Sequence, residues 1–104
     1  MNWLDYREIR ARVRLIDLLA SMGWRASRRR GDQHRGPCPL PGCVQSIDCQ
    51  SNSTFSLHGG RNIYRCFRCG SQGGVIDFWS AYRGQSIAEA AQELWRMRDH
   101  RNRD

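Results

Sequence analysis

Lysine is absent from the chain, although basic residues are frequent in it. All 17 residues of the lysine-plus-arginine count are arginine, and only 10 residues are acidic, which gives a formal net charge of +7. Either an arginine-rich codon preference or a need for planar, bidentate phosphate contacts would explain the choice of arginine. The excess of positive charge itself favours a polyanionic partner.

Apolar runs long enough to cross a bilayer are also missing, and no basic segment followed by an apolar one opens the chain. We therefore expect no membrane span, no secretion signal and a cytoplasmic location. In a reducing compartment the five cysteines are expected to bind metal rather than to form disulfides. We expect a single domain over residues 1–104, whose modest core would gain stability from a bound metal ion.

Four of the cysteines form two pairs at opposite ends of a segment rich in strand-forming residues. A Cys-x2-Cys pair brings two thiolates to one ion from a single turn, and a Cys-x4-Cys pair lies within the usual spacing for zinc. The spacing therefore predicts one structural zinc ion (Zn2+) bound by Cys38, Cys43, Cys66 and Cys69.

Three residues are candidates for the fourth zinc ligand. Cys43 has a suitable spacing from Cys38, Cys49 lies in a polar segment that is predicted to be a surface loop, and His34 directly precedes the first turn. A closed site of four thiolates has no position for a catalytic water, so we expect the ion to hold the fold together rather than to take part in a reaction.

The predicted fold class is α+β, with a small antiparallel zinc ribbon between an N-terminal helix and two C-terminal helices. The N-terminal helix is predicted over residues 5–22, because Asp5 and Glu8 form a capping-box pattern and Gly23 is a suitable stop. The ribbon is predicted over residues 24–74, and the C-terminal helices over residues 75–98.

Within the ribbon, two hairpins are predicted from turn residues between strand-forming segments. The first runs from Trp24 to Arg35 and turns at Gly31-Asp32; the second turns at Gly59-Gly60 and returns along residues 61–66. Because side chains alternate along a strand, Tyr64 and Cys66 should share one face of the returning strand, and Ile63, Arg65 and Phe67 the other.

Four segments together resemble the zinc-binding domain of bacterial DnaG-type primases. They are Gly-Pro-Cys38-Pro-Leu, Ser-Thr-Phe55-Ser-Leu, Ile-Tyr-Arg-Cys66-Phe-Arg-Cys69-Gly and Gly-Gly-Val-Ile-Asp77-Phe. The resemblance extends over about residues 13–97. It implies a zinc ribbon that binds single-stranded template DNA and assists primer synthesis, while a separate magnesium-binding domain forms the phosphodiester bond. The acidic residues of this chain are too scattered to form such a catalytic core, so we expect that the chain is not an enzyme.

The sequence departs from this family at three points. Pro41 stands where the family usually has a histidine ligand, and Cys43 is the expected substitute. Arg68 stands where a glycine is common in the second cysteine turn, and the segment between Cys38 and Phe55 is longer than usual.

The leading functional hypothesis is a stand-alone, zinc-dependent nucleic-acid-binding protein that assists a partner enzyme in DNA replication or in the movement of a mobile element. Arginines of the ribbon would bind phosphates, and aromatic rings would stack on unpaired bases. Core packing would equally explain Phe55 and Tyr64, and Phe67 is expected to be exposed or packed on the following helix. The candidate nucleic-acid-binding residues are Arg61, Arg65, Arg68, Tyr64, Phe55 and Phe67.

Three further interpretations stay open. The run Arg28–Arg30 is either a phosphate contact or a solvated strand edge that discourages aggregation. The helices that carry Trp3, Trp79 and Trp95 could make the chain an adaptor that docks on a helicase, primase or transposase. A thiol redox switch is the third possibility, suggested only by the spare Cys49.

Overall fold

The computed structural model of the chain describes residues 5–41 and 54–101, with side chains up to Met97. Over these residues, two helices precede an antiparallel sheet and two follow it, which confirms the α+β class. The helices are α1 (Tyr6–Arg12), α2 (Leu15–Ser21), α3 (Val75–Arg83) and α4 (Ile87–Arg101). The strands are β1 (Arg28–Arg30), β2 (Gln33–Gly36), β3 (Phe55–His58), β4 (Ile63–Cys66) and β5 (Gln72–Gly73).

The five strands follow one another in space in the order β1-β2-β3-β4-β5, and every neighbouring pair is antiparallel. Both predicted hairpins are present, and the first turns at Gly31-Asp32 as expected. The second differs in its turn: His58 pairs with Ile63, so the turn has four residues and the returning strand begins at Ile63. Its left-handed residue is Asn62, at φ 59°, and not a glycine.

The sheet has one buried and one exposed face. Strand alternation and register place a buried set together on the inner face, namely His34, Gly36, Phe55, Leu57, Tyr64 and Cys66. The opposite set forms the outer face and is mostly exposed; it contains Arg28, Arg30, Gln33, Arg35, Ser56, His58, Ile63, Arg65 and Gln72. The predicted alternation along β4 is therefore confirmed.

Aromatic rings form the centre of the core beneath the inner face. The Phe55 ring is fully buried, with its centroid 5.5 Å from that of Tyr64 and 6.1 Å from that of Phe78 on α3. Trp24 packs edge-on against Phe55, with the ring centroids 5.7 Å apart. Leucines and Ile9 of the N-terminal helices, together with Leu94 of α4, complete the core. The helices thus cover one side of the sheet and leave the other side open.

The single helix predicted over residues 5–22 is wrong, because the chain is extended at Val13 and Arg14. The cause is Asn62, which lies buried in the β3–β4 turn. Its amide nitrogen donates to the carbonyl oxygens of Arg10 (2.7 Å) and Val13 (2.9 Å), and its side-chain oxygen accepts from the backbone N–H of Leu15 (2.6 Å). One side chain therefore satisfies backbone groups at the end of α1 and at the start of α2.

Side-chain caps mark the start of both C-terminal helices. The carboxylate of Asp77 accepts from the backbone N–H of Gly74 at 2.9 Å, at the start of α3. Ser86 and Glu89 form a reciprocal capping box at the start of α4, with distances of 3.0 and 3.1 Å. Gly84, at φ 67°, ends α3 in the left-handed conformation that glycine adopts readily.

Candidate metal centre and nucleic-acid interface

Three of the four predicted cysteine ligands come together at one end of the sheet. The Sγ atoms of Cys38, Cys66 and Cys69 all lie within 4.8 Å of one another. The register explains this proximity, since Gly36 pairs with Phe55 and Phe55 pairs with Cys66. The turn after β2 and the turn after β4 consequently meet across β3.

Backbone groups in the second turn point at the sulfur of Cys66. The backbone N–H groups of Arg68 and Cys69 both donate to its Sγ atom, at 3.4 Å. Burial acts to raise the pKa of the Cys66 thiol, but these donors and hydrogen bonds with the two neighbouring thiols outweigh it and lower the pKa. Burial raises the pKa of the Cys38 thiol, so this thiol holds its proton more firmly than the Cys66 thiol when no ion neutralises the cluster.

The arrangement fits a zinc ion. Sulfurs bound tetrahedrally to zinc at about 2.3 Å lie about 3.8 Å apart. The three Sγ atoms lie within 4.8 Å of one another, so small side-chain movements would bring them to one ion. N–H groups that point at a sulfur favour the thiolate form that zinc requires. The three cysteines are free thiols and form no disulfide with one another. Cys38, Cys66 and Cys69 would therefore supply three ligands of a structural zinc site.

The position of His34 reduces the number of candidates for the fourth zinc ligand. Its ring lies toward the turn at Gly59, with Nε2 3.8 Å from the place of a Cβ on that glycine, at the opposite end of β3 from the cysteines. His34 does not belong to the cysteine group. Cys43 and Cys49 both lie outside the described residues, so Cys43 stays a prediction.

Phe67 lies on the outer side of the sheet, between two arginines. Its side chain is among the most exposed large apolar groups in the described chain, at 55% relative exposure. The guanidinium carbon of Arg35 is 4.9 Å from the centre of its ring, and that of Arg65 is 5.1 Å from it. Both distances are within the range of a cation–π interaction. An exposed aromatic ring with two guanidinium groups over it combines the π-surface and the positive charge that single-strand binding sites use.

The structure corrects two of the predicted base-stacking residues. Phe55 is completely buried, and Tyr64 is 3% exposed. The hydroxyl of Tyr64 lies 2.6 Å from that of Ser71, and burial raises its pKa. These two rings form the core beneath the sheet, so they cannot stack on a base without unfolding the protein.

The predicted arginines fall in three places. Arg65 lies on the outer face beside Phe67, and Arg68 is exposed in the cysteine turn. Arg61 is exposed in the β3–β4 turn, at the other end of the sheet from Phe67. Sequence reasoning missed Arg35, although alternation from the buried His34 would have placed it on the outer face.

Trp79 is not available for the predicted docking surface, because its side chain is only 7% exposed. Its indole N–H donates to the carboxylate of Glu93 at 2.6 Å, and its ring stacks on Tyr82. Trp95 is partly buried against the core, and Trp3 lies outside the described residues. Trp79 and Trp95 therefore pack within the described part of the chain, and the adaptor interpretation stays a prediction.

A short antiparallel sheet closed at one end by a cysteine cluster defines the class of zinc ribbons. The chain belongs to the DnaG zinc-ribbon family, because the CHC2 zinc finger pattern of that family matches residues 4–103. The resemblance to the primase zinc-binding domain is thereby confirmed. None of the helices in the described part of the chain has the length and apolar character needed to span a bilayer.

Similar proteins are DNA primases of several bacteria. The chain is 31% identical over 87 residues to the DNA primase of Thermotoga maritima, a match that covers 84% of this chain and 14% of that protein. It is 26% identical over 90 residues to the DNA primase of Escherichia coli K12, covering 86% of this chain and 14% of that one. The chain thus spans about one seventh of the length of these relatives.

A solved structure shows the same fold. The crystal structure of the Aquifex aeolicus primase, which comprises zinc-binding and RNA polymerase domains, superposes on this chain with a TM-score of 0.71 at 26% identity. The match covers 94% of this chain and 22% of the other.

Proposed function

We propose that the chain is a non-catalytic accessory protein that binds single-stranded DNA through the outer face of its zinc ribbon. One structural zinc ion, bound by Cys38, Cys66, Cys69 and Cys43, holds the binding turn in place. The protein assists a separate catalytic unit in primer synthesis during DNA replication or the movement of a mobile element. It works in the cytoplasm, where free thiols stay reduced.

The observation that carries this proposal is the exposed ring of Phe67 between Arg35 and Arg65. An aromatic side chain on a surface loses contact with apolar neighbours, and its position here between two cations suits a ligand that has both a π-face and negative charge. An unpaired nucleotide has both. A base inside a duplex does not expose its face, so the same site favours single-stranded over double-stranded DNA.

The zinc site would contribute to DNA binding by fixing the position of Phe67 and Arg68. Phe67 and Arg68 are the two residues between Cys66 and Cys69, so an ion bound to both cysteines fixes the turn that carries them. The backbone N–H of Phe67 also donates to the carbonyl of Thr54 at 2.8 Å, which ties the turn to the strand next to it. When bound, the ion supplies structural cross-linking of the two cysteine turns.

A non-catalytic role is supported by the ligand chemistry of the described residues. The group of three or more potential ligands found among them consists of thiols, which suit zinc, whereas the magnesium of a polymerase requires carboxylate oxygens. Primer synthesis should therefore be absent with the chain alone, and it should rise when the chain is added to a primase catalytic domain that lacks a zinc ribbon. Synthesis by the purified chain alone would contradict this proposal.

The binding site itself is tested with Phe67→Ala, measured by fluorescence anisotropy of labelled oligothymidylate over a range of salt concentrations. Loss of one stacked base should weaken binding by about 1–3 kcal/mol, which is roughly 5- to 150-fold, and leave the salt slope unchanged because no charge is removed. Phe67→Trp should bind as well as the wild type, and Ile87→Ala, which alters an exposed apolar residue on α4, should have no effect. Unchanged affinity of Phe67→Ala, or a wild type with no affinity at low salt, would refute the site.

A further inference from the structure

The outer face carries a row of side chains that crosses the whole sheet. The strand register places five residues, one from each strand, in a line across the sheet. In order from β1 to β5 they are Arg28, Arg35, Ser56, Arg65 and Gln72. Three of the five are arginines, and the small Ser56 separates Arg35 from Arg65. This row runs perpendicular to the strands and passes beside Phe67.

The end of the row on the β1–β2 hairpin concentrates positive charge. Arg28 lies directly opposite Arg35, and Arg30 follows Arg28 on the same face, opposite Gln33. Like charges in direct cross-strand register destabilise a sheet. In the described part of the chain, neither Arg28 nor Arg30 forms an ion pair with a carboxylate. The hairpin therefore keeps a repulsive arrangement that an anion would relieve.

The shape of the β1–β2 hairpin also suits a bound anion. An open concavity of about 610 Å³ is lined by Arg28, Arg29, Arg30, Gln33 and Arg35. The only acidic residue of the hairpin, Asp32, directs its carboxylate toward the second turn, 2.7 Å from the place of a Cβ on Gly60. The concavity consequently offers guanidinium donors, which bind phosphate oxygens in planar, bidentate geometry.

Arg35 joins this concavity to the stacking platform. It lines the concavity and also lies 4.9 Å from the ring of Phe67, so the two sites are parts of one continuous surface. Three inter-strand spacings of about 4.8 Å separate β1 from β4, a span of about 14 Å. A strand with a base on Phe67 reaches Arg28 only if it extends across the sheet for that distance.

We infer that the β1–β2 hairpin is a phosphate subsite for the same single strand, which crosses the sheet along the arginine row from Phe67 to Arg28 and Arg30. The inference rests on the proposed function, and it adds the direction of the strand and a second contact region. It also resolves the two interpretations of the run Arg28–Arg30 in favour of phosphate contact.

The test compares the double variant Arg28→Gln/Arg30→Gln with Arg7→Gln/Arg96→Gln, which removes the same charge from helices on the other side of the sheet. Binding is measured by salt titration with thymidine dinucleotide and with an oligothymidylate of about ten nucleotides, a length within the range of single-strand binding sites. With the longer strand, the hairpin variant should lose about 1.4 from the salt slope, because each phosphate contact on a single strand contributes about 0.7. With the dinucleotide, which cannot span the sheet, it should match the wild type.

A second measurement checks the site without DNA. Inorganic tripolyphosphate should raise the melting temperature of the wild type and of the control variant, and raise that of the hairpin variant less. In low salt without added tripolyphosphate, the hairpin variant should melt above the wild type, since the repulsion between Arg28 and Arg35 is removed.

The outcomes separate the two proposals. Equal loss for both lengths of oligonucleotide, or equal loss in the control variant, would overturn the subsite and leave the proposed function intact. Stabilisation by tripolyphosphate that depends on the hairpin, in a protein without affinity for oligothymidylate, would support the anion subsite and refute the single-stranded DNA function. Absence of both responses would overturn both.

Discussion

Asn62 determines how the N-terminal region of this protein folds, although its own position is in a turn of the sheet. It occupies the left-handed region at φ 59° and is 6% exposed. Its side chain makes three hydrogen bonds to the backbone at the junction of α1 and α2. Arg14 strengthens the same junction, since its guanidinium donates to the carbonyls of Gly59 and Gly60 at 2.7 and 3.1 Å.

Substitution of Asn62 should therefore be costly. Asn62→Ala leaves one N–H and two carbonyl groups without their partner, and we expect a loss of about 3 kcal/mol or more in the free energy of unfolding, measured by urea denaturation with excess zinc. Asn62→Gly removes the same hydrogen bonds but keeps the left-handed backbone, so it should be less destabilising than the alanine variant by about 1 kcal/mol. Equal stability of Asn62→Ala and wild type would show that the side chain does not hold the junction.

At the scale of elements, the approach of β5 to α3 depends on a glycine. Gly73 has φ 139°, and a Cβ there would lie 2.7 Å from the Cβ of Asp77, whose carboxylate caps α3. Gly84 also has a positive φ, of 67°, but a Cβ there would meet nothing within 4 Å. A comparison of the two glycines therefore separates the cost of a steric clash from the cost of a positive φ alone.

Alanine substitutions at these two glycines should destabilise the protein to different extents. Gly84→Ala should cost about 1 kcal/mol, from the left-handed conformation alone. Gly73→Ala should cost distinctly more, because the added methyl displaces Asp77 and disturbs the start of α3. Thermal unfolding of both variants with zinc present provides the comparison, and a smaller effect at Gly73 than at Gly84 would contradict this reading of the contact.

Secondary structure was largely predictable because its signals are local. The Gly31-Asp32 turn and the helix cap at Asp5 act within a few residues, and each was found where the sequence placed it. The break between α1 and α2 was not predictable, because Asn62 is far away in sequence and the apolar period continues from Ile9 through Val13 to Ile16.

The candidate site was predicted in part for a similar reason. Cysteine spacing identified Cys38, Cys66 and Cys69. Alternation along the returning strand placed Phe67 opposite Tyr64 and Cys66, but it left open whether Phe67 is exposed and whether Phe55 is buried. Only the register of β2, β3 and β4 places Arg35 beside Phe67 and Tyr64 in the core.

At the scale of the whole molecule, the cysteine cluster and the aromatic core are adjacent. Cys66 is fully buried on the inner face of β4, next in register to Phe55. An ion there would link the end of β2 to the end of β4 and support the core of a small domain. The stability of the domain should accordingly depend on metal.

Removal of zinc by a strong chelator should abolish the near-ultraviolet circular dichroism of the buried aromatic rings, and added zinc should restore it. Cys43→Ser should weaken zinc retention strongly if it is the fourth ligand, whereas Cys49→Ser should retain zinc as the wild type does. A metal-free protein with its full near-ultraviolet signal would show that the ion does not maintain the core, and the reverse result for the two serine variants would reassign the ligand.

Phe67 lies directly next to Cys66, a predicted zinc ligand, and this adjacency has a thermodynamic consequence. If the ion orders the platform for the nucleotide, the nucleotide must in turn strengthen retention of the ion by the same factor, since coupling between two binding equilibria is reciprocal. Occupancy by template would then protect the protein from losing its zinc to competing chelators, and the protein would be most vulnerable to demetallation when it is off the DNA.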